Sequence, residues 1–254
     1  WRQEFLAIAK VGQDSETFYK TLLQWRVYNS KPLSKAAVII SYLFPALFVS
    51  CLMGYLLTSN MVFLKYSSFL FVINLGVLGN FTKRIQMEIA HSENINTIIS
   101  QYSLLVQKIE NENFKSDKLK ELQQKLNFQN QKASEHLQKL AELFSNMETI
   151  GNFVTALLFN GTFLFNLHVL KAMIAWKKEH AEVLEEWLEV IGEFEMLNSL
   201  ANLSYNNPEF VYPTLNTNYE IDFSNLSHPL LNPATRVGNE VKFQPQSFMI
   251  LTGS

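Results

Sequence analysis

Ala36-Ala37-Val38-Ile39-Ile40-Ser41-Tyr42-Leu43-Phe44-Pro45-Ala46-Leu47-Phe48-Val49-Ser50-Cys51-Leu52-Met53-Gly54-Tyr55-Leu56-Leu57 holds no charged residue, and the charge-free run continues to Leu64. Roughly 20 apolar residues suffice to cross a bilayer core as a helix. Thr58-Ser59-Asn60 makes a polar turn, and Met61 to Phe81 follows as a second apolar run, interrupted only by Lys65. A lysine near a helix end can reach the interface along its own methylene stem, and Pro45 is tolerable in a spanning helix. Lys31 and Lys35 precede the pair and Lys83 and Arg84 follow it. All four fall on one side of a two-helix hairpin, where the positive-inside rule puts cytoplasmic flanks. Residues 36–82 are therefore read as a hydrophobic, membrane-spanning hairpin, with burial inside a large helical domain as the alternative.

The segments around the hairpin differ from it sharply. Residues 1–35 carry Phe5, Leu6, Ile8, Phe18, Leu22, Leu23 and Trp25 at helical spacing. Gly12-Gln13-Asp14 breaks that pattern and Ser15 can cap a second helix, giving a helical connection. Within 83–206, Ile85, Ile89, Ile99, Tyr102, Val106 and Ile109 form one stripe. After a break at Asn111–Lys115, Leu119, Leu122, Leu126, Ala133, Leu137, Leu140, Phe144 and Met147 keep a three-four rhythm. Two long antiparallel helices, a coiled-coil-like arm with a solvated charged face, are expected there. Phe153–Leu170 is a third apolar stretch. Asn152, Asn160, Asn166 and His168 make it a poorer membrane candidate, and it is taken as a core helix. Its continuation puts Met173, Trp176, Val183, Leu184, Trp187, Ile191, Phe194, Leu197 and Ala201 on one face until Asn206-Asn207-Pro208 ends it.

From residue 207 the composition turns to short strand-like runs, Phe210–Pro213, Tyr219–Phe223 and Glu240–Phe243, punctuated by Pro229, Pro233 and Pro245. The chain closes on Ser247-Phe248-Met249-Ile250-Leu251-Thr252-Gly253-Ser254, a strand-type run entering a glycine turn. Such a turn can begin a phosphate loop. The sequence opens Trp-Arg-Gln-Glu and closes in mid-strand, so it reads as an internal fragment. The formal net charge of -2 gives no global basic field for nucleic acid. Cys51 is the single cysteine, which excludes an internal disulfide and a cysteine-based metal site. His91, His136, His168, His180 and His228 lack ligand spacing and are read as packing or surface residues.

Four of these pieces, in order, carry a resemblance. Glu193–Asn202 followed by Pro208 and Tyr212-Pro213, then Ser227-His228-Pro229-Leu230-Leu231, then Arg236-Val237-Gly238-Asn239-Glu240-Val241, then Phe248–Ser254 together resemble the MutS family of DNA mismatch-repair ATPases. They look most like bacterial MutS-related proteins with a hydrophobic hairpin before the lever helices. The resemblance implies a mainly α chain of lever helices, followed by the first β-strands of a P-loop α/β ATPase domain over 207–254, truncated in its Walker A loop. It implies ATP and Mg²⁺ in the intact protein, double-stranded DNA as a partner, and a homodimer through the ATPase domain. By the same resemblance Arg236, Val237 and Asn239 sit at the adenine, and Gly253 and Ser254 open the phosphate loop. Arg236 stands where an aromatic is common, and Ser227 replaces an arginine. The resemblance further implies catalytic residues beyond Ser254, so that the intact protein is expected to be an ATPase and this fragment to lack the residues for hydrolysis by that mechanism.

Three functions follow as expectations. The first is the lever arm and start of the ATPase head of a mismatch-repair protein. The second is a MutS-related ATPase anchored in the inner membrane, its bulk cytoplasmic, with no repair role. The third is a non-enzymatic membrane coiled-coil scaffold. Without the anchor the protein is expected to be cytoplasmic.

Overall fold

A computed structural model describes residues 1–9, 15–28, 31–89, 95–148, 153–217, 220–232 and 234–244. The expected break at Gly12–Asp14, His91, Asn152, Tyr219, Pro233, Pro245 and the closing stretch 247–254 lie outside the described residues. The chain divides into two compact units, Trp1–Ala201 and Asn202–Ser254.

The first unit contains the hairpin. Ser34 starts α3 (Lys35–Thr58), its hydroxyl accepting from the Ala37 N–H at 3.2 Å. The helix stops where Ser59 turns to a φ of 53°. Asn60 at once begins α4 (Met61–Gly79), its Oδ1 accepting from the Val62 N–H at 3.0 Å. One left-handed residue and one Asx cap thus reverse the chain, as the polar turn predicts. At 1.5 Å per residue the two helices are about 36 and 28 Å long, matched to a hydrocarbon core of about 30 Å.

Six further helices of this unit belong to a bundle: α1 (Arg2–Ala9), α2 (Ser15–Val27), α5 (Thr82–Ile89), α6 (Ile95–Glu110), α7 (Asp117–Gln124) and α8 (Ala133–Glu148). The antiparallel pair expected over 85–147 is α6 with α8. It is fixed by Ser103 Oγ donating to the Ser134 carbonyl at 2.8 Å, and by the Glu110 carboxylate, which receives the Ser134 N–H and hydroxyl. Glu110 thereby caps the α8 N-terminus, where free N–H groups favour an anion. Its counterpart is Gln123, whose amide donates to the Ile109 and Glu112 carbonyls at 2.7 Å and closes the α6 C-terminus.

The leucine rhythm of 119–147 does not build one helix. Gln129 and Asn130 both take positive φ, 51° and 62°, forming a two-residue turn between β1 (Asn127–Phe128) and β2 (Gln131–Lys132). Such primed turns match the twist of the strands they join, and Asn accepts them readily. Leu126 and Ala133 stay in register across this excursion, linked by Ala133 N–H to Leu126 O at 3.0 Å. The heptad spacing survives although the helix is interrupted. Its apolar stripe is also no two-helix seam, because Leu122, Leu126, Leu137, Leu140 and Phe144 are buried in one core with Leu184 and Trp187.

The third apolar stretch is divided as well. α9 (Phe153–Phe163) ends at Leu164, φ 51°, and α10 (Phe165–Asn206) starts after a 79° bend. Asn160 makes the break by accepting the Asn166 N–H on its Oδ1 at 2.9 Å. Residues from Leu167 onward enter the core as expected, whereas α9 packs on α4 and α3. The reading of 153–170 as a single core helix is corrected on this point. α10 buries Met173, Trp176, Leu184, Trp187, Ile191 and Phe194, the face that its periodicity marks.

In the second unit β3 (Ile221–Leu226) pairs antiparallel with β4 (Asn239–Phe243). Asn225 sits at φ 56° beside Gly238, where an added Cβ would fall 2.9 Å from the Asn225 Cα, so glycine is required there. Phe210–Pro213, expected as a strand, has no strand partner among the described residues.

Candidate functional site

The site with the most definite chemistry is the cluster of α3, α4 and α9. Its outward side chains are large and apolar: Ile39, Leu56 and Leu57 from α3, Val62, Phe69 and Val72 from α4, Leu158 and Phe163 from α9. Its inward positions hold polar residues, Ser41, Ser67, Asn74 and Asn160, all at most 3% exposed. Each donates a hydrogen bond within the cluster, while Asn74 Oδ1 is buried without a partner. Ser41 and Ser67 donate to the Val38 and Leu64 carbonyls, Asn160 to Ala156 O, and Asn74 Nδ2 to Gly161 O at 2.8 Å. The helices approach closely at Gly161, where an added Cβ would meet the Phe71 ring at 2.2 Å. A water-facing fold buries apolar and exposes polar groups, and a soluble monomer rarely shows an apolar patch beyond a few hundred Å². Small and polar residues between helices with aliphatic chains outside are what hydrocarbon solvent selects.

Charge marks one end of this cluster. Residues 31–88 and 149–178 carry eight lysines and arginines and a single carboxylate, Glu88. Lys31, Lys35 and Lys83 are exposed. Lys171 donates to Tyr42 Oη at 3.1 Å, and His168 Nε2 lies 2.9 Å from the Ser41 carbonyl, tying the start of α10 to the first turns of α3. Glu88 is buried against Lys177 at 2.8 Å, with the Trp25 ring 4.1 Å from the ammonium. Burial pushes the Lys177 ammonium down from its ordinary value, and the bond to Glu88 opposes this.

A second cluster lies in the bundle core and escaped the sequence reading. His136 and His180, 44 positions apart in sequence, bring their ring centroids to 4.3 Å, flanked by Trp176 and Trp187. His180 Nδ1 lies 3.0 Å from the Trp176 carbonyl, and His136 is held below its ordinary value by burial and by His180. The signal was the placement of His180 on the Trp176–Trp187 face of α10. His136 gave none, because its partners come from another helix.

The residues that resemblance assigns to a nucleotide are only partly assembled. Arg236 is ion-paired to Glu209 at 3.5 Å and lies 5.3 Å from the Phe210 ring, while Val237 is 77% exposed and Asn239 pairs with Leu226 across the sheet. The guanidinium is therefore engaged on Phe210, and Val237 is the open apolar side chain of that element. Gly253 and Ser254 lie outside the described residues. Among the described residues there is no group of three or more His, Cys, Asp or Glu fit to hold a metal ion. No known protein family, curated protein or solved structure matches the chain.

Proposed function

We propose that the chain is the membrane-anchored part of a MutS-related ATPase, with α3 and α4 inserted in the bilayer as a hairpin. The observation that carries the anchorage is the inverted polarity of the cluster, polar residues inside and large apolar ones outside. The basic residues at its base orient it: Lys31, Lys35, Lys83 and Arg84 stay with the cytoplasmic headgroups, which attract cations by about 1 kcal/mol each. The ATPase half of the reading is supported by the order of Glu193–Asn202, His228-Pro229, Arg236–Asn239 and Gly253. Helix α10, unbroken from Phe165 to Asn206, is the element through which ATP binding at a head would reach the anchor. An anchored protein meets chromosomal DNA only at the membrane, which favours the reading without mismatch repair over the soluble lever arm.

Alkaline carbonate extraction of cell membranes tests the anchor. The chain is expected to stay in the pellet, and its release to the supernatant overturns the proposal. The coding frame past Ser254 tests the ATPase half, since Gly-Lys-Ser/Thr is expected within about ten residues. Its absence would leave a membrane scaffold.

A further inference from the structure

We infer that α9 is a third membrane element, a half-depth helix that dips into the acyl-chain layer beside α4 and leaves it at Leu164. Lipid acyl chains are the occupant of its outward face. The inference rests on the anchorage proposed above.

Four observations support it. Phe153–Phe163 is 11 residues, about 16 Å, half the hydrocarbon thickness, so this helix cannot cross alone. Its outward face is Val154, Leu158, Phe159 and Phe163, between 47% and 60% exposed, continuous with the exposed apolar side chains of the α4 on which it packs. Its inward face repeats the inverted polarity, with Asn160 1% exposed and Gly161 seated on Phe71 and bonded to Asn74. No charged residue occurs from Phe153 to Leu170, and the first one, Lys171, sits at Tyr42 near the basic base of the hairpin.

The bend itself fits a lipid-bounded site. Non-helical backbone is tolerated at membrane depth only where its N–H and C=O groups are paired inside protein. Leu164, the one residue here outside a helix, is buried. Its N–H reaches Asn160 O at 3.1 Å, its carbonyl accepts from Leu167 N–H at 2.9 Å, and the Asn160 side chain takes the N–H of Asn166. The Leu164 N–H and carbonyl are thus paired inside the protein, and of the polar side-chain atoms at the break Asn166 Oδ1 is buried without a partner.

Spin labelling in reconstituted vesicles tests this. In the full chain with Cys51→Ala, single cysteines are placed by Leu158→Cys on α9, Phe69→Cys on α4 and Leu104→Cys, an exposed position of the bundle. Collision with oxygen, which concentrates in acyl chains, is compared with collision with a water-soluble nickel chelate. Leu158→Cys is expected to favour oxygen, with nickel collisions several-fold below those at Leu104→Cys, and to sit shallower than Phe69→Cys. If Leu158→Cys behaves like Leu104→Cys while Phe69→Cys remains in lipid, the inference fails and the anchor stands. If Phe69→Cys is aqueous as well, the anchorage fails and takes the inference with it.

Discussion

The α3, α4 and α9 cluster and the helical bundle belong to one compact unit, yet they are built on opposite plans. The bundle places Leu137, Leu140, Phe144, Leu184 and Trp187 inside, fully buried, and most of its charges outside, the Glu88–Lys177 pair being buried. The cluster places Ser41, Ser67, Asn74 and Asn160 inside, beside Ala37, Pro45 and Phe48, and Leu56, Leu57, Phe69, Leu158 and Phe163 outside. The backbone element is the same in both, the α-helix. The difference shows that helix formation does not decide which face is buried. The surrounding solvent does, and under the proposed anchorage the solvent of the cluster is hydrocarbon.

Substitutions that ignore this difference should have unequal effects. The largest is expected for Trp187→Ala, which removes a fully buried ring touching Phe128 and His136. A loss of about 3–5 kcal/mol is expected, whereas Leu56→Ala, 64% exposed on α3, should change folding stability by less than about 0.5 kcal/mol. Denaturant unfolding in mild detergent measures both, and equal losses would erase the contrast. Next is Phe69→Arg, a charge at the middle of α4. It is expected to weaken insertion by about 2.5–3.5 kcal/mol, read as a larger fraction released by carbonate. Leu104→Arg, comparably exposed but on the bundle, should leave extraction unchanged.

The smallest effect concerns pH. His136 is held below its ordinary value in the fold by burial and by His180, with Glu135, Glu179 and Lys139 acting on it from the same helices. The unfolded chain therefore takes up a proton near pH 6.5 that the folded chain resists. Stability from this group is complete above that pH and declines as pH falls below it. The thermal midpoint of the wild-type protein should drop between about pH 6.5 and 5. His136→Phe should flatten that slope, and an unchanged slope would show that other groups set it.

Much of the fold is legible in the sequence because its signals are local. Charge-free runs, basic flanks and Thr58-Ser59-Asn60 mark the hairpin, and the spacing from Met173 to Phe194 marks the buried face of α10. Interruptions are harder to read where they preserve periodicity. The Gln129–Asn130 turn returns the chain with Leu126 and Ala133 still seven apart, so the stripe looks continuous. The break at Leu164 needed the Asn160 side chain turned back on Asn166, and composition alone does not reveal that. The inward polar residues of the cluster were visible as interruptions of apolar runs, but their shared interior is a property of packing. His136 with His180, and Arg236 with Glu209 and Phe210, are tertiary pairings that no local pattern encodes.

The two-residue link between α3 and α4, Ser59 and Asn60, has a consequence for how an anchored chain would be made. Only Thr58, Ser59 and Asn60, with Lys65 one turn into α4, need to be carried to the far side of the bilayer. The hairpin can enter as a unit, both arms together, and the described segments before Lys35 and after Gly79 need not cross to the far side.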